Sequence, residues 1–159
     1  MGVMNLMYLR LLALSLTALV LVPSAAHLFE LPAKISLRRE TYFLVQSIYA
    51  GWAWFALPIF GSILANGVLF LSERREDPRS ARWALVSAAL IALSLAIFFI
   101  WVFPANQATA NWTRLADDWE TLRRNWEYGH AANALILFGA LLATARAVAG
   151  RREGADGRS

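Results

Sequence analysis

Four stretches of this chain are long enough, apolar enough and free enough of charge to cross a bilayer, and that pattern leaves few architectures open. A hydrocarbon core of about 30 Å takes roughly 20 residues of helix. The stretches run from Leu11 to Leu28, Phe43 to Leu71, Trp83 to Phe103 and His130 to Ala149. Polar breaks separate them: Pro32 with Lys34 to Glu40, then Ser72-Glu-Arg-Arg-Glu-Asp-Pro78, then Pro104 to Asp118. The expected fold is therefore all-α, a four-helix transmembrane bundle forming one domain over residues 1–150. Residues 151–159, rich in Gly and charge, are expected to be a disordered tail. Composition agrees, since 58% of the residues are hydrophobic and 16% charged, against about 45–50% and about 25% in soluble domains. The absence of cysteine excludes disulfides, Cys-ligated metals, iron–sulfur clusters and thiol nucleophiles.

Charge sets the expected direction. With four spans, the N-terminus, the second connection and the C-terminus share one side, which carries nine cations: Arg10, Arg74, Arg75, Arg79, Arg82, Arg146, Arg151, Arg152 and Arg158. The other side carries six cations, balanced by the six acids Glu30, Glu40, Asp117, Asp118, Glu120 and Glu127. The positive-inside rule then places both termini in the cytoplasm of a multi-pass cell-membrane protein. Because the arginines flank apolar runs, they read as topology charges, and no nucleic-acid partner is expected. Leu11 to Val22 followed by Pro-Ser-Ala-Ala26 also resembles a signal peptide cut before His27, a reading that leaves the orientation unchanged.

Ionisable residues inside a bilayer are costly and mark functional candidates. Here they gather at one end. The first span closes on His27-Leu-Phe-Glu30 and the fourth opens on Glu127-Tyr-Gly-His130, two mirror-image motifs. Residues three apart share a helix face, so each motif presents one imidazole beside one carboxylate. If the two helices are neighbours, His27, Glu30, Glu127 and His130 meet at matched depths. Such a set suits three alternatives: a single metal ion, a bis-histidine haem, or no cofactor at all. The bland reading pairs Glu30 with Lys34 and Glu127 with Arg123 or Arg124.

Other residues point to the same end. Tyr42, Gln46 and Tyr49 fall at i, i+4 and i+7 at the start of the second span. Trp119, Arg123, Trp126, His130 and Asn133 form a seam along the fourth, and Asn106, Gln107, Asn111 and Trp112 lie just outside the third. Together they are expected to line a shallow cup open to the outer leaflet, with Tyr42, Gln46, Tyr49, Asn106, Trp119, Trp126 and Asn133 as binding residues. Trp52, Trp54, Trp101 and Trp112 read instead as an interfacial aromatic belt. Pro58 and Gly61 predict a kink in the second span, and Asn66 a hydrogen bond to a neighbouring helix. Asn111-Trp-Thr113 is a glycosylation sequon, meaningful only in a eukaryotic secretory pathway. No phosphate-binding loop, GxGxxG, GxSxG or HExxH occurs.

The run His27-Leu-Phe-Glu-Leu-Pro-Ala-Lys34, Tyr42 to Gln46, Ile48-Tyr49 and Gly51-Trp52-Ala53 resembles the small four-helix membrane proteins grouped with the anthrone oxygenases. Phe103-Pro-Ala-Asn-Gln-Ala-Thr109, Asn111-Trp-Thr113 and Trp119-Glu-Thr-Leu-Arg-Arg-Asn-Trp-Glu-Tyr-Gly-His130 extend the resemblance over roughly residues 5 to 148. What it implies is an oxidoreductase, an oxygenase of an apolar aromatic or quinone-like molecule working without flavin or haem. In that reading His130 or His27 is the base, Arg123 stabilises an enolate, and Trp119, Trp126 and Tyr49 pack the rings. The alternative is a non-catalytic module, a partner subunit or lipid-binding protein, whose His/Glu/Arg cluster is structural. A transporter needs a homo-oligomer, because polarity at one end gives no continuous pathway.

Overall fold

The computed structural model describes residues 3–150, so the expected tail at 151–159 lies outside the described residues. Every regular element among them is helical. The elements are α1 (Val3–Lys34), α2 (Arg39–Gln46), α3 (Ala56–Glu73), α4 (Pro78–Ile97), α5 (Phe103–Ala108) and α6 (Trp119–Ala149). Short 3₁₀ turns at Ser47–Tyr49 and Trp52–Phe55 join α2 to α3, and a π-helical turn at Phe98–Val102 joins α4 to α5. Four helical segments are long and apolar enough to cross a membrane: Asn5–Lys34, Trp52–Glu73, Pro78–Ala108 and Trp119–Ala149.

The bundle is a square in which α1 packs on α3 and α6, and α4 packs on α3 and α6. Its interior is small and polar while its exterior is large and apolar. The contact seam of α1 runs Ala13, Thr17, Val20, Ser24, His27, and that of α4 runs Ala84, Ser87, Ile91, Ser94, all buried at alternating spacings of three and four. Leu11, Leu19, Phe60, Leu64, Leu93, Leu135 and Phe138 point outward. That inversion suits lipid, where small interfacial residues let backbones approach and hydroxyls and amides bond across helices. One such cluster joins all four helices. Asn66 Nδ2 donates to Thr17 Oγ1 (3.2 Å), Thr144 Oγ1 donates to Asn66 Oδ1 (3.2 Å), and Ser87 Oγ lies 2.7 Å from Thr144 Oγ1. The expected interhelical role of Asn66 is thus met. Near the start of α1, Arg10 Nε donates to buried Glu73 at 2.9 Å, and Asp77 caps α4 by accepting the Ser80 N–H.

Three boundaries differ from the sequence expectation, each for a physical reason. The first helix continues through Pro32 to Lys34 rather than ending at Leu28. The second span does not begin at Phe43: the chain turns back at Gly51, whose φ of +84° suits a residue without a side chain, and α2 becomes a separate short helix. Pro58 therefore sits at the third residue of α3, just after the 3₁₀ turn, and not in mid-span. The third connection is partly helical, because α4 runs on through the π turn into α5. Pro104 explains the π turn, since it removes a backbone donor and crowds the carbonyl one turn earlier.

Candidate functional site

The two mirror-image motifs meet. The rings of His27 and His130 stack with centroids 4.2 Å apart at 37°, and Glu127 lies fully buried one turn from His130. Between the carboxylates stands a cation, Lys34. Lys34 extends the face of His27 and Glu30 by one more turn, is only 3% exposed, and brings Nζ to 3.0 Å from Glu127 Oε1 and 3.9 Å from Glu30 Oε2. Glu127 thus pairs with Lys34, not with Arg123 or Arg124. The spacing that reveals Lys34 is present in the sequence, but only if the helix is carried past Pro32.

From the other side, α2 and the turn after it supply phenols. Tyr42 Oη donates to Glu127 Oε1 at 3.0 Å and accepts from Gln46 Nε2 at 2.6 Å. Lys34 Nζ donates to Tyr49 Oη at 3.0 Å, and Tyr49 donates in turn to Glu30. Burial pushes both phenols above their ordinary range, the Glu127 carboxylate adding to the effect at Tyr42 and the hydrogen bond to Glu30 at Tyr49. Both stay protonated at neutral pH and act as donors. Aromatic walls surround the ammonium, with Nζ 4.5 Å from the ring centres of Tyr49 and Trp126. Trp126 packs edge-on to both imidazoles, and its indole donates to Asn106 Oδ1 at 2.9 Å.

A second bracket lies beside this one. Arg123 donates from Nη1 to the Leu37 carbonyl at 2.8 Å and lies 4.7 Å over the Trp119 ring. It braces the α1–α2 turn, and Lys34 is the cation between the carboxylates. Asn133 is buried one turn beyond His130, with its Oδ1 unpartnered; Gln107 and Asn111 are exposed. Two tryptophans expected in the interfacial belt belong to the cluster instead. Trp52 lies 5.3 Å from His27 and 4.8 Å from Tyr49, and Trp112 is 5% exposed. Trp54 and Trp101 remain outward-facing.

The expected open cup is a filled core. Tyr42, Gln46, His27, Lys34 and Glu127 are all buried, and the half-exposed Glu30 and Tyr49 form its rim. The cause is α2, which folds over the cluster as a cover instead of continuing the second span. Several buried polar atoms nevertheless lack a hydrogen-bond partner: Glu127 Oε2, Gln46 Oε1 and His27 Nδ1, which stands 3.8 Å from Glu30 Oε2. Unpaired buried groups are costly, and one ring nitrogen, one carboxylate oxygen and one amide oxygen of this core carry no hydrogen bond.

The same geometry tests the cofactor alternatives. Metal–nitrogen bonds of about 2 Å hold two trans imidazole centroids about 6 Å apart, so rings 4.2 Å apart do not fit as the two axial ligands of a haem. Among the described residues no three His, Asp or Glu side chains group as a metal site, and the Lys34 ammonium holds the position between the carboxylates that a cation would take. Comparison of the chain with family models, with curated proteins and with solved structures returns no match.

Proposed function

We propose that the chain is a multi-pass membrane protein of the cell membrane, termini cytoplasmic, whose polar end performs acid–base chemistry on an apolar aromatic molecule and hands it to O2. The observation that carries this reading is the buried Lys34–Glu127–Tyr42 array with His27 Nδ1 and Glu127 Oε2 free of hydrogen bonds beside the Tyr49, Trp52 and Trp126 rings. An anthrone-like ketone has an acidic ring CH2. A base, His27 Nδ1, takes one of its protons, and the Lys34 ammonium, which has a third N–H beyond those directed at Glu127 and Tyr49, holds the enolate oxygen. The carbanion reduces O2 and bonds to it, the peroxide anion takes back the proton held by His27, and the hydroperoxide so formed loses water with the second ring proton. Two C–H bonds are broken, one oxygen atom is retained as the new carbonyl, and the other leaves as water. No metal or flavin enters this balance.

The resemblance to anthrone oxygenases supports the same class of substrate. The test is 1,8-dihydroxy-9-anthrone in aerated detergent solution, with anthraquinone formation and O2 uptake followed together. Equimolar O2 and product at a rate well above buffer is expected, with His27→Ala and Glu127→Gln each lowering it about 10²-fold or more. A folded wild-type protein that only matches the buffer rate overturns the reading. The second reading, a structural cluster in a non-catalytic module, is favoured by how fully the cluster is buried. It requires that His130→Ala lower thermal stability with no activity to lose.

A further inference from the structure

Three successive residues, Ala110, Asn111 and Trp112, hold φ of +48°, +55° and +63°, and none is glycine. Each Cβ crowds the following carbonyl in this left-handed backbone, which residues with side chains normally avoid. Thr109 and Asn106 hold the turn in place. The Thr109 carbonyl accepts from Thr113 and Arg114, its Oγ1 accepts from the Trp112 N–H at 2.9 Å, and the Asn106 carbonyl accepts from Asn111 at 2.7 Å. The strained turn drives the Trp112 indole inward. Its ring meets Tyr42, Phe43 and Trp126 nearly edge-on at 5.0, 5.5 and 6.1 Å, and its Nε1 is buried without a partner.

The seat is therefore ring-shaped and directly adjoins Tyr42, whose hydroxyl bonds Glu127. Its resident is held there against backbone strain and an unpaired donor, while Asn111, Thr113, Arg114 and Leu115 around it are exposed and free of such packing. We infer that this seat is a binding position for a planar aromatic molecule, and that Trp112 is a plug which leaves it when the left-handed turn relaxes. For the class of ligand the inference rests on the aromatic-substrate reading above; the plug itself does not.

Lys34 supplies the readout, because it is the only lysine in the chain and its buried ammonium lies 5.8 and 4.5 Å from the Tyr42 and Trp126 rings that wall the seat. N-hydroxysuccinimidyl acetate is applied to the purified full chain, and acetylation is followed on the Lys34 peptide. Glycine removes the Cβ crowding at φ > 0, so Ala110→Gly with Asn111→Gly is expected to hold the plug closed and slow acetylation severalfold. Trp112→Ala is expected to speed it at least tenfold. A glycine pair that reacts at the wild-type rate overturns the plug, whatever Trp112→Ala does. Equilibrium binding of 1,8-dihydroxyanthraquinone tests the seat: at least tenfold tighter in Trp112→Ala and severalfold weaker in the glycine pair. Equal or weaker binding in a folded Trp112→Ala, or unchanged binding in the glycine pair, makes Trp112 a wall and not a plug. Binding in the expected order without oxidation of the anthrone by any form upholds the seat and sinks the oxygenase.

Discussion

An ammonium held between Glu30 and Glu127 regains its lost hydration only through those partners and Tyr49, so each of the group depends on the others staying charged or protonated as they are. Lys34→Met leaves the Glu127 charge buried and unpaired, and the expected loss is about 3–5 kcal/mol, read as a fall in thermal midpoint in detergent. The phenols give a pH test. Burial raises Tyr42 and Tyr49 above their unfolded value, so the stability they contribute is fully present below about pH 10 and is lost as pH rises beyond it. Alkaline titration at the tyrosinate absorbance should therefore superimpose for wild type and a Tyr42→Phe, Tyr49→Phe variant until the wild type unfolds. An earlier excess in the wild type would contradict the burial. His27, Glu30, Glu127 and His130 were legible because their i, i+3 spacing is written twice in mirror order. Lys34 was legible only as the partner of Glu30; its pairing with Glu127 was not, because proline usually closes a helix and here does not.

At the scale of elements, what was legible follows from hydropathy and what was missed follows from local backbone geometry. Four spans can be counted from apolar length alone. The Gly51 turn that frees α2 to cover the site has no hydropathy signature, since Leu44, Val45 and Ile48 continue the apolar run. The π turn at Phe98–Val102 likewise needs two facts at once, Pro104 behind it and a missing side chain opposite. A Cβ at Gly129 would come within 2.9 Å of Val102 Cγ2 and 3.3 Å of Trp101 Cβ, so Gly129 is where α6 admits the bulge and thereby sets His130 against Phe98. Gly129→Leu is expected to cost about 1–3 kcal/mol by overpacking, and to reduce turnover by displacing His130. A variant as stable and active as wild type would show that the close approach does not matter.

For the whole molecule, polarity is arranged in layers: an Arg10–Glu73 pair near one end, the Thr17–Asn66–Thr144–Ser87 ring within the bundle, and the Lys34 cluster at the other end. The ring ties four helices whose outer faces have no preference for one another in lipid. Asn66→Leu should cost about 1–2 kcal/mol without altering chemistry at the Lys34 end, and a loss of activity at unchanged stability would contradict that separation. Orientation is open to direct reading, because the chain has no cysteine. In intact cells a membrane-impermeant maleimide should label Asp117→Cys and leave Ser159→Cys unlabelled, and the reverse pattern would invert the bundle. If the buried Lys34–Glu127 pair is a reactive centre and not a structural pin, the paired replacement Lys34→Met, Glu127→Leu separates the two roles. Removing both charges together leaves no unpaired ion in the buried core, Glu30 being half-exposed, so a thermal midpoint above that of either single variant is expected together with anthrone oxidation at the buffer rate; a double variant that still oxidises the anthrone at the wild-type rate would contradict the catalytic reading.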